Sequence, residues 1–371
     1  MKCLEEGIFA RTTLKPLNSV FNLDKEKRYI KVLVENGEWF TVSGLRRTGK
    51  TTLVRSVISA MDVYSIYINL WGRTSERITL DIILEEITKM IKELAEKGRL
   101  KEILKYIDKV SFIGVTIQLK TKNQSALIET IKRLTKKKRV VIIIDEAEEM
   151  ISDAKVFKFL AALHDELAPS LSVVLLGSVV SMKKMLSSSV SSPLYGRIGN
   201  EIILKPFDEA NSRELLRAGF EQCNFQVDEE LITEGALRLG GFAGWLTSFG
   251  RTVVIEHQKG ADIKNIRDIL EILENDAAKM IYEEIARILY GKKMLRGYIK
   301  IIKAAAENGY ITVSEGAKII ERKPNTTLNY LRALVNNGIL IKEKDFYKIA
   351  DPLVRRVALK PNFESEVKLR L

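Results

Sequence analysis

Cysteine and histidine are scarce in this sequence of 371 residues. There are two cysteines, Cys3 and Cys223, and two histidines, His164 and His257. The cysteines lack metal-ligand spacing and are too few for a disulfide framework, so we expect both to be structurally incidental. His164 lies in a predicted helix, where a surface or capping role is the simplest interpretation. The sequence therefore argues against a zinc site and against a histidine-based nucleophile system.

Long apolar runs are also missing. The longest, Val140 to Ile144, is far short of the roughly 20 residues that a membrane span needs. The first residues, MKCLEEGIFA, carry acidic side chains where a signal peptide needs a basic and then a long apolar region. Hydrophobic residues make up 46% and charged residues 29%, which is typical of globular proteins. We expect a cytoplasmic protein of two or three domains without a membrane segment.

Acidic residues are under-represented in the last 81 residues. Residues 291–371 contain 17 Lys and Arg against 8 Asp and Glu, which is +9 of the net charge of +12. A basic surplus confined to one segment favours a polyanionic partner. The alternative is the ion-paired surface of a thermophilic protein, which explains the many charges but not their uneven distribution.

A phosphate-binding pattern, G-x-x-x-x-G-K-[ST], occurs near the amino terminus. Its residues and their neighbour are Gly44, Leu45, Arg46, Arg47, Thr48, Gly49, Lys50, Thr51 and Thr52. Glycines let the backbone curl so that N–H groups converge on phosphate oxygens, and a following helix adds its positive end. Lys50 would reach the β- and γ-phosphates, and the Thr51 hydroxyl would ligate Mg²⁺. The pattern thus predicts a site for ATP or ADP.

The two arginines of this segment have no set role in phosphate binding. We expect Arg46 and Arg47 to face out of the loop, toward other parts of the chain, a partner or solvent.

An acidic pair follows a predicted buried strand in RVVIIIDEAEEM. Ligand sites lie at the carboxyl ends of parallel strands. Asp145 is therefore expected to hold Mg²⁺ through its water shell. Glu146 is expected to orient and deprotonate an attacking water. Without the upstream loop, an acidic turn after a core strand would be the simpler interpretation.

A further apolar run, LSVVLLG, ends just before Ser178. Ser178 is expected to hydrogen-bond the γ-phosphate or the water, or else to cap the next helix. Strand–loop–helix patterns recur along the first half of the chain, with predicted strands near 64–70, 140–144, 173–176 and 201–204. This order predicts an α/β fold with a doubly wound parallel sheet.

Several segments together resemble the archaeal P-loop ATPases of the STAND class, which are relatives of AAA+ proteins. They are GLRRTGKTTL, IIIDEAEEM, LLGSVVSMKKML, SSPLYGRIGNEIILKPFD, LGGFAGWLTSFG and ADPLVRRVAL. The resemblance implies a P-loop ATPase core at 1–207, a helical lid at 208–290 and a winged helix-turn-helix domain at 291–371. It also implies ATP hydrolysis.

The resemblance also implies individual roles. Arg197, in PLYGR, resembles a basic residue that senses the nucleotide state from within the same subunit; a surface charge is the alternative. Ala243 replaces the proline of the family's Gly-Gly-x-Pro, which puts a rigid turn in doubt. No segment stands out as an arginine finger donated in trans, so a monomer or weak self-association is expected.

The basic C-terminal segment predicts three helices and two strands, a winged helix-turn-helix. We expect Ser314 and Asn325 to cap its second and third helices. Leu328, Leu331 and Leu334 form the predicted buried stripe of the third helix. The side chains expected to face solvent are Thr326, Thr327, Asn329, Tyr330 and Arg332.

Duplex DNA is one partner that this domain could take. Asn329 and Arg332 would then contact base edges, and Lys342, Lys344 and Lys348 would lie near phosphates. Glu343 and Asp345 weaken this hypothesis. A protein-interaction module or a structural cap on the ATPase is the alternative, because a fold alone does not establish function.

Three functions were weighed. The first is a slowly hydrolysing, nucleotide-operated switch that positions the winged helix for a partner. The second is a DNA-binding regulator or replication-initiator-like protein. The third, a small-molecule kinase, ranks last because no kinase-type lid is evident. An alternating insertion at 110–122 predicts a hairpin without an assigned role.

Overall fold

A computed structural model describes most of the chain, namely residues 2–71, 78–97, 122–187, 193–260, 266–292 and 294–371. Its internal contacts divide the protein into two units. The sheet unit consists of Leu23–Gly44 and Lys50–Leu204, and the helical unit consists of Met1–Asn22, Leu45–Gly49 and Lys205–Leu371. The predicted lid and C-terminal domain thus fall in one unit. The boundary predicted at 207/208 lies close to the start of the last stretch.

Five parallel strands form the centre of the sheet unit. They are β1 (Phe40–Gly44), β2 (Tyr64–Asn69), β3 (Val140–Asp145), β4 (Leu171–Gly177) and β5 (Asn200–Leu204). Their order across the sheet is β2-β3-β4-β1-β5, with every pairing parallel. All residues of β3 and β4 are buried, as expected for parallel strands with both faces covered. The predicted α/β parallel sheet is confirmed.

Helices surround these strands in the order that parallel crossovers require. The described helices of the sheet unit are α1 (Asp24–Glu35), α2 (Lys50–Ser59), α3 (Leu80–Lys97), α4 (Lys122–Thr135), α5 (Ala154–Leu167) and α6 (Val179–Ser187), with a 3₁₀ helix at Ala147–Ser152. Their apolar residues and those of the strands make one core against the sheet.

The strand register fixes which residues share an edge of the sheet. Asn69 lies beside Asp145 at the ends of β2 and β3, and Ser43 lies beside Gly177 at the ends of β1 and β4. The residues that follow these strands therefore meet at the carboxyl edge. Residues that precede a strand lie at the opposite, amino edge.

The helical unit is built mainly of packed helices. Its first helices are α7 (Glu209–Gln222), α8 (Glu229–Leu239), α9 (Ala243–Gln258) and α10 (Ile266–Leu289). Then follow α11 (Leu295–Asn308), α12 (Val313–Ile320), α13 (Pro324–Asn336), the hairpin strands β6 (Leu340–Glu343) and β7 (Phe346–Ile349), α14 (Pro352–Ala358) and α15 (Phe363–Leu369). They share one apolar core that also includes Phe9 from the amino-terminal segment.

The predicted order of three helices and a hairpin in the C-terminal segment is present, but its caps differ. Thr312, not Ser314, caps α12 through a capping box with Glu315. Helix α13 begins at Pro324, so Asn325 lies inside it instead of capping it. Proline at the first helical position forms no clash and loses no helical hydrogen bond.

The face of α13 is also rotated from the prediction. Thr327 and Tyr330 were expected to face solvent, but both are buried. Thr327 donates to the carbonyl of Lys323, and the Tyr330 ring packs against Tyr298 at 4.3 Å between centroids. Neighbouring helices supply these contacts, which a periodicity within α13 does not reveal.

The two cysteines are bonded to each other, so the expectation that they are structurally incidental was wrong. Cys3 and Cys223 form a disulfide with their Cα atoms 5.3 Å apart. The bond joins the amino-terminal segment to the residue that follows α7.

Two further predictions concern segments rather than sites. No helix in the described ranges is both long enough and apolar enough to span a bilayer. The predicted hairpin at 110–122 falls almost wholly outside the described residues.

Candidate functional site

Three predicted site residues meet at the carboxyl edge of the sheet. The Thr51 hydroxyl donates to Oδ2 of Asp145 at 2.7 Å, and Lys50 Nζ donates to the carbonyl of Gly44 at 3.0 Å. Thr51 and Thr52 lie in the first turn of α2, and Asp145 is the buried last residue of β3. A hydroxyl and a carboxylate oxygen are ligand types that suit Mg²⁺, so this pair fits the expected ion.

A tyrosine that the sequence did not single out contacts the same carboxylate. The Tyr67 hydroxyl, from β2, donates to Oδ2 of Asp145 at 2.9 Å. The guanidinium of Arg55 lies 4.1 Å from the centroid of the Tyr67 ring. Burial and the Asp145 charge raise the pKa of Tyr67 above its ordinary value, so the hydroxyl remains a donor at neutral pH. The only sequence signal is a tyrosine in a strand that runs beside β3.

Glu146 begins the turn that leaves β3. Its backbone is left-handed, with φ of 55°, and its N–H donates to Oδ1 of Asp145 at 3.1 Å. Such a conformation is uncommon outside glycine and asparagine and occurs at functional turns. Glu146 therefore lies beside the metal-type pair, where the prediction placed it.

A second glutamate, Glu148, contacts the neighbouring strand end. Its Oε1 accepts the N–H of Ser178 at 3.2 Å, and its carboxylate fills the space where a side chain at Gly177 would be. The Ser178 hydroxyl accepts the N–H of Ser181 at 3.2 Å. Ser178 thus caps α6 at the carboxyl edge, which is the simpler of its two predicted roles.

Arg197 lies at the other edge of the sheet. It precedes β5, and its Nε and Nη2 donate to the two carboxylate oxygens of Asp165 at 2.8 and 2.7 Å. Asp165 is in the last turn of α5, just before β4. The hydrogen-bonded guanidinium lowers the pKa of Asp165. The structure therefore does not bring Arg197 together with Lys50 and Asp145.

The five residues Leu45–Gly49 make their contacts in the helical unit. Arg46 Nη1 lies 2.8 Å and Arg47 Nη2 lies 2.5 Å from the carboxylate of Glu284 on α10. Arg47 Nη1 also lies 3.3 Å from Asp351, which caps α14. Of the predicted surroundings of these arginines, the structure shows contacts with other parts of the chain.

The remaining loop residues are held by backbone contacts. The buried Thr48 donates through its hydroxyl to the carbonyl of Leu45 at 2.8 Å. Gly49 has a φ of 94°, in the region that only glycine adopts without strain. The loop is thus a curled segment, as the pattern predicted.

The segment GGFAGW begins α9 even without the expected proline. Gly240 and Gly241 have φ of 59° and 77°, and the helix starts at Ala243. The N–H of Gly244, in its first turn, donates to the carbonyl of Arg47 at 2.9 Å. Two left-handed glycines therefore produce the turn that the proline was expected to fix.

Residues 21–242 match the family model described as an ATPase domain predominantly from Archaea. The chain belongs to this family. The match covers more than half of the sequence and includes the whole phosphate loop. No curated protein matches the sequence of this ATPase.

Solved structures share the fold of the ATPase. The Walker-type ATPase PABY2304 of Pyrococcus abyssi is 24% identical, with 95% of this chain and 99% of that chain covered at a TM-score of 0.75. The ORC2 protein of Aeropyrum pernix, in ADPNP–ADP complexes, is 13% identical, with 98% of each chain covered at a TM-score of 0.60. The similarity extends along almost the whole chain and shows a shared fold.

The residues predicted to contact DNA lie in the C-terminal part of the ATPase. Asn329, Arg332, Lys342 and Lys344 are exposed. Lys348 Nζ instead lies 2.6 Å from Glu343, within the same hairpin. Four of the five predicted contacts are therefore available to a partner, while the fifth is paired with an acid.

Proposed function

We propose that this ATPase binds ATP in the loop Gly44–Thr51 and hydrolyses it slowly. The observation that carries this proposal is the Thr51–Asp145 contact at 2.7 Å, formed at the carboxyl edge beside Lys50. Membership of the ATPase-domain family supports the same reading. A Walker-type ATPase with the same fold also supports it.

Each residue has a part in this proposal. Backbone N–H groups of the loop and the amino end of α2 bind phosphate oxygens, and Lys50 leaves the Gly44 carbonyl to contact the β- and γ-phosphates. Thr51 and Asp145 would hold Mg²⁺, which when bound neutralises charge on the phosphates. Glu146 orients the attacking water and accepts its proton. Ser178 lies where a hydroxyl could contact that water.

The proposed output is a conformational switch of the STAND type. In this reading α7–α10 form a helical lid, and α11–α13 with the β6–β7 hairpin form a winged helix. ATP and ADP would favour different arrangements of these elements, since a ligand shifts an equilibrium by its differential affinity. The ORC2 protein of Aeropyrum pernix, which shares the fold, was solved with ADPNP and ADP.

Duplex DNA is the partner that the charge distribution favours. Residues 291–371 carry most of the net positive charge. Asn329 and Arg332 are exposed on α13, where a recognition helix would present them to a groove. Lys342 and Lys344 are exposed on the hairpin, where they would approach phosphates. A DNA-binding regulator similar to replication initiators is therefore the second candidate function.

ATP turnover of the full chain tests these proposals. We expect Lys50→Ala and Asp145→Asn to lose most of the activity, because each removes a group that contacts phosphate or Mg²⁺. Activity that survives in both variants would contradict the proposed site.

Adding duplex DNA at two salt concentrations tests the partner. Salt-sensitive binding that weakens in an Arg332→Ala and Lys344→Ala double variant would support a DNA reader. If DNA neither binds nor changes turnover, the C-terminal unit acts on a protein partner instead.

A further inference from the structure

Two buried carboxylates of the helical unit are directed at the phosphate loop. The side chain of Glu284 is 5% exposed and that of Asp351 is 8% exposed. Burial alone would raise the pKa of Glu284, but Arg47 and Arg46 outweigh it and hold that pKa below its ordinary value. Glu284 is thus charged at neutral pH, although it is removed from water.

Arg47 is held on every side that the structure describes. Besides its two carboxylate partners, its guanidinium lies 4.4 Å from the centroid of the Trp245 ring. The Trp245 indole N–H in turn donates to the Asp351 carboxylate at 2.7 and 2.9 Å. The Arg47 backbone is left-handed, with φ of 64°, and its carbonyl accepts the Gly244 N–H. These contacts fix both ends of one loop residue.

Stability does not explain such an arrangement. A buried ion pair often contributes no more than apolar residues of the same shape, because its charges lose their hydration. A network of this kind does fix geometry, since breaking one partner leaves an unpaired charge. Here the geometry that it fixes is that of Leu45–Gly49, the segment whose backbone would bind phosphate.

We propose that Glu284 and Asp351 are positioning residues of the nucleotide site, which act through Arg47 to hold the loop in its phosphate-binding shape. The proposal rests on the proposed function of the loop. Because Glu284 belongs to α10 and Asp351 begins α14, nucleotide binding and the packing of these helices are coupled. By linkage, each then affects the other equally.

A neighbouring ion pair provides a matched control. Glu274, also on α10, lies 2.6 Å from Arg356 on α14, and neither contacts the loop. Glu274→Gln and Glu284→Gln therefore remove the same charge from the same helix. Only the second change affects an arginine of the loop.

The test is the affinity of the full chain for fluorescent mant-ADP and mant-ATP. We expect Glu284→Gln and Asp351→Asn to weaken binding about tenfold, within the usual range for coupled sites, and Glu274→Gln to change it less than twofold. Because Glu284 acts through Arg47, adding Glu284→Gln to Arg47→Ala should weaken binding no further. Equal effects of Glu284→Gln and Glu274→Gln, or additive effects with Arg47→Ala, would overturn the proposal.

Two further measurements separate the ways to fail. If Lys50→Ala binds as tightly as the natural chain, the phosphate site itself is wrong; if only Lys50→Ala loses binding, the site stands and the positioning role is wrong. Hydrogen exchange of the natural chain does not depend on any variant folding. Nucleotide should increase protection around residues 284 and 351, and unchanged exchange at both would overturn the coupling.

Discussion

Replacing Tyr67 by phenylalanine removes one hydroxyl from the proposed metal site. That hydroxyl and the Thr51 hydroxyl donate to the same oxygen of Asp145, at 2.9 and 2.7 Å. If Thr51 turns to ligate Mg²⁺, Tyr67 remains to orient the carboxylate. We therefore expect Tyr67→Phe to weaken Mg²⁺ binding while leaving the fold intact.

The size of the effect follows from the hydrogen bond that is lost. A hydrogen bond to a charged group contributes about 1.5–3 kcal/mol when buried. Tyr67 is only partly buried, so about 1–2 kcal/mol is a reasonable expectation, or roughly 5- to 30-fold in Mg²⁺ affinity. Partners that orient metal ligands usually have effects of about 10- to 100-fold.

The assay is a Mg²⁺ titration of mant-ATP affinity, with turnover measured in parallel. Tyr64→Phe, at the amino end of the same strand, is the control, because its hydroxyl lies at the opposite edge of the sheet. The half-saturating Mg²⁺ concentration should rise for Tyr67→Phe alone, and affinity measured without Mg²⁺ should be unchanged. Identical Mg²⁺ curves for both variants would refute the reasoning.

Three further outcomes are expected from single substitutions. Gly241→Ala should lower the free energy of unfolding in urea by more than about 1 kcal/mol, since its φ is 77° and a methyl group would collide with the Phe207 carbonyl; an unchanged midpoint would contradict this. Thr312→Ala breaks the capping box with Glu315 and should lower it by about 1 kcal/mol, whereas a loss below a few tenths would show that the cap contributes little. Burial lowers the pKa of Lys15 to about 8, below the roughly 10.4 of the unfolded chain. The folded state therefore binds fewer protons between these values and stability rises with pH there; Lys15→Met should flatten that rise, and an equal slope in both proteins would refute it.

Local patterns predicted the parts of the site that lie close together in sequence. The loop Gly44–Thr51 needs glycines and a lysine at fixed spacing, and Asp145 ends a strand whose apolar run is unbroken. Both signals depend on a few consecutive residues. The parallel sheet followed from repeated strand–loop–helix patterns for the same reason.

The contacts that the sequence did not reveal are distant along the chain. Tyr67 is 78 residues from Asp145, and Arg47 is 237 residues from Glu284 and 304 from Asp351. No periodicity or spacing connects such positions. They are found only when the fold brings their elements together.

Topology decides the location of Arg197. The resemblance suggested a contact with nucleotide within the same subunit, but a residue that precedes a parallel strand lies at the edge opposite the phosphate loop. Its pairing with Asp165 follows from that position. Strand order and direction therefore limit what a motif can reach in its own chain.

The bond between Cys3 and Cys223 makes the chain a closed ring with a tail. The ring contains all five strands of the sheet, and the tail begins just after α7. One peptide bond cut anywhere within the ring leaves a molecule of unchanged mass, apart from the added water, because both sides of the cut remain covalently joined. Only a reductant, or a second cut, would release a fragment of the ATPase.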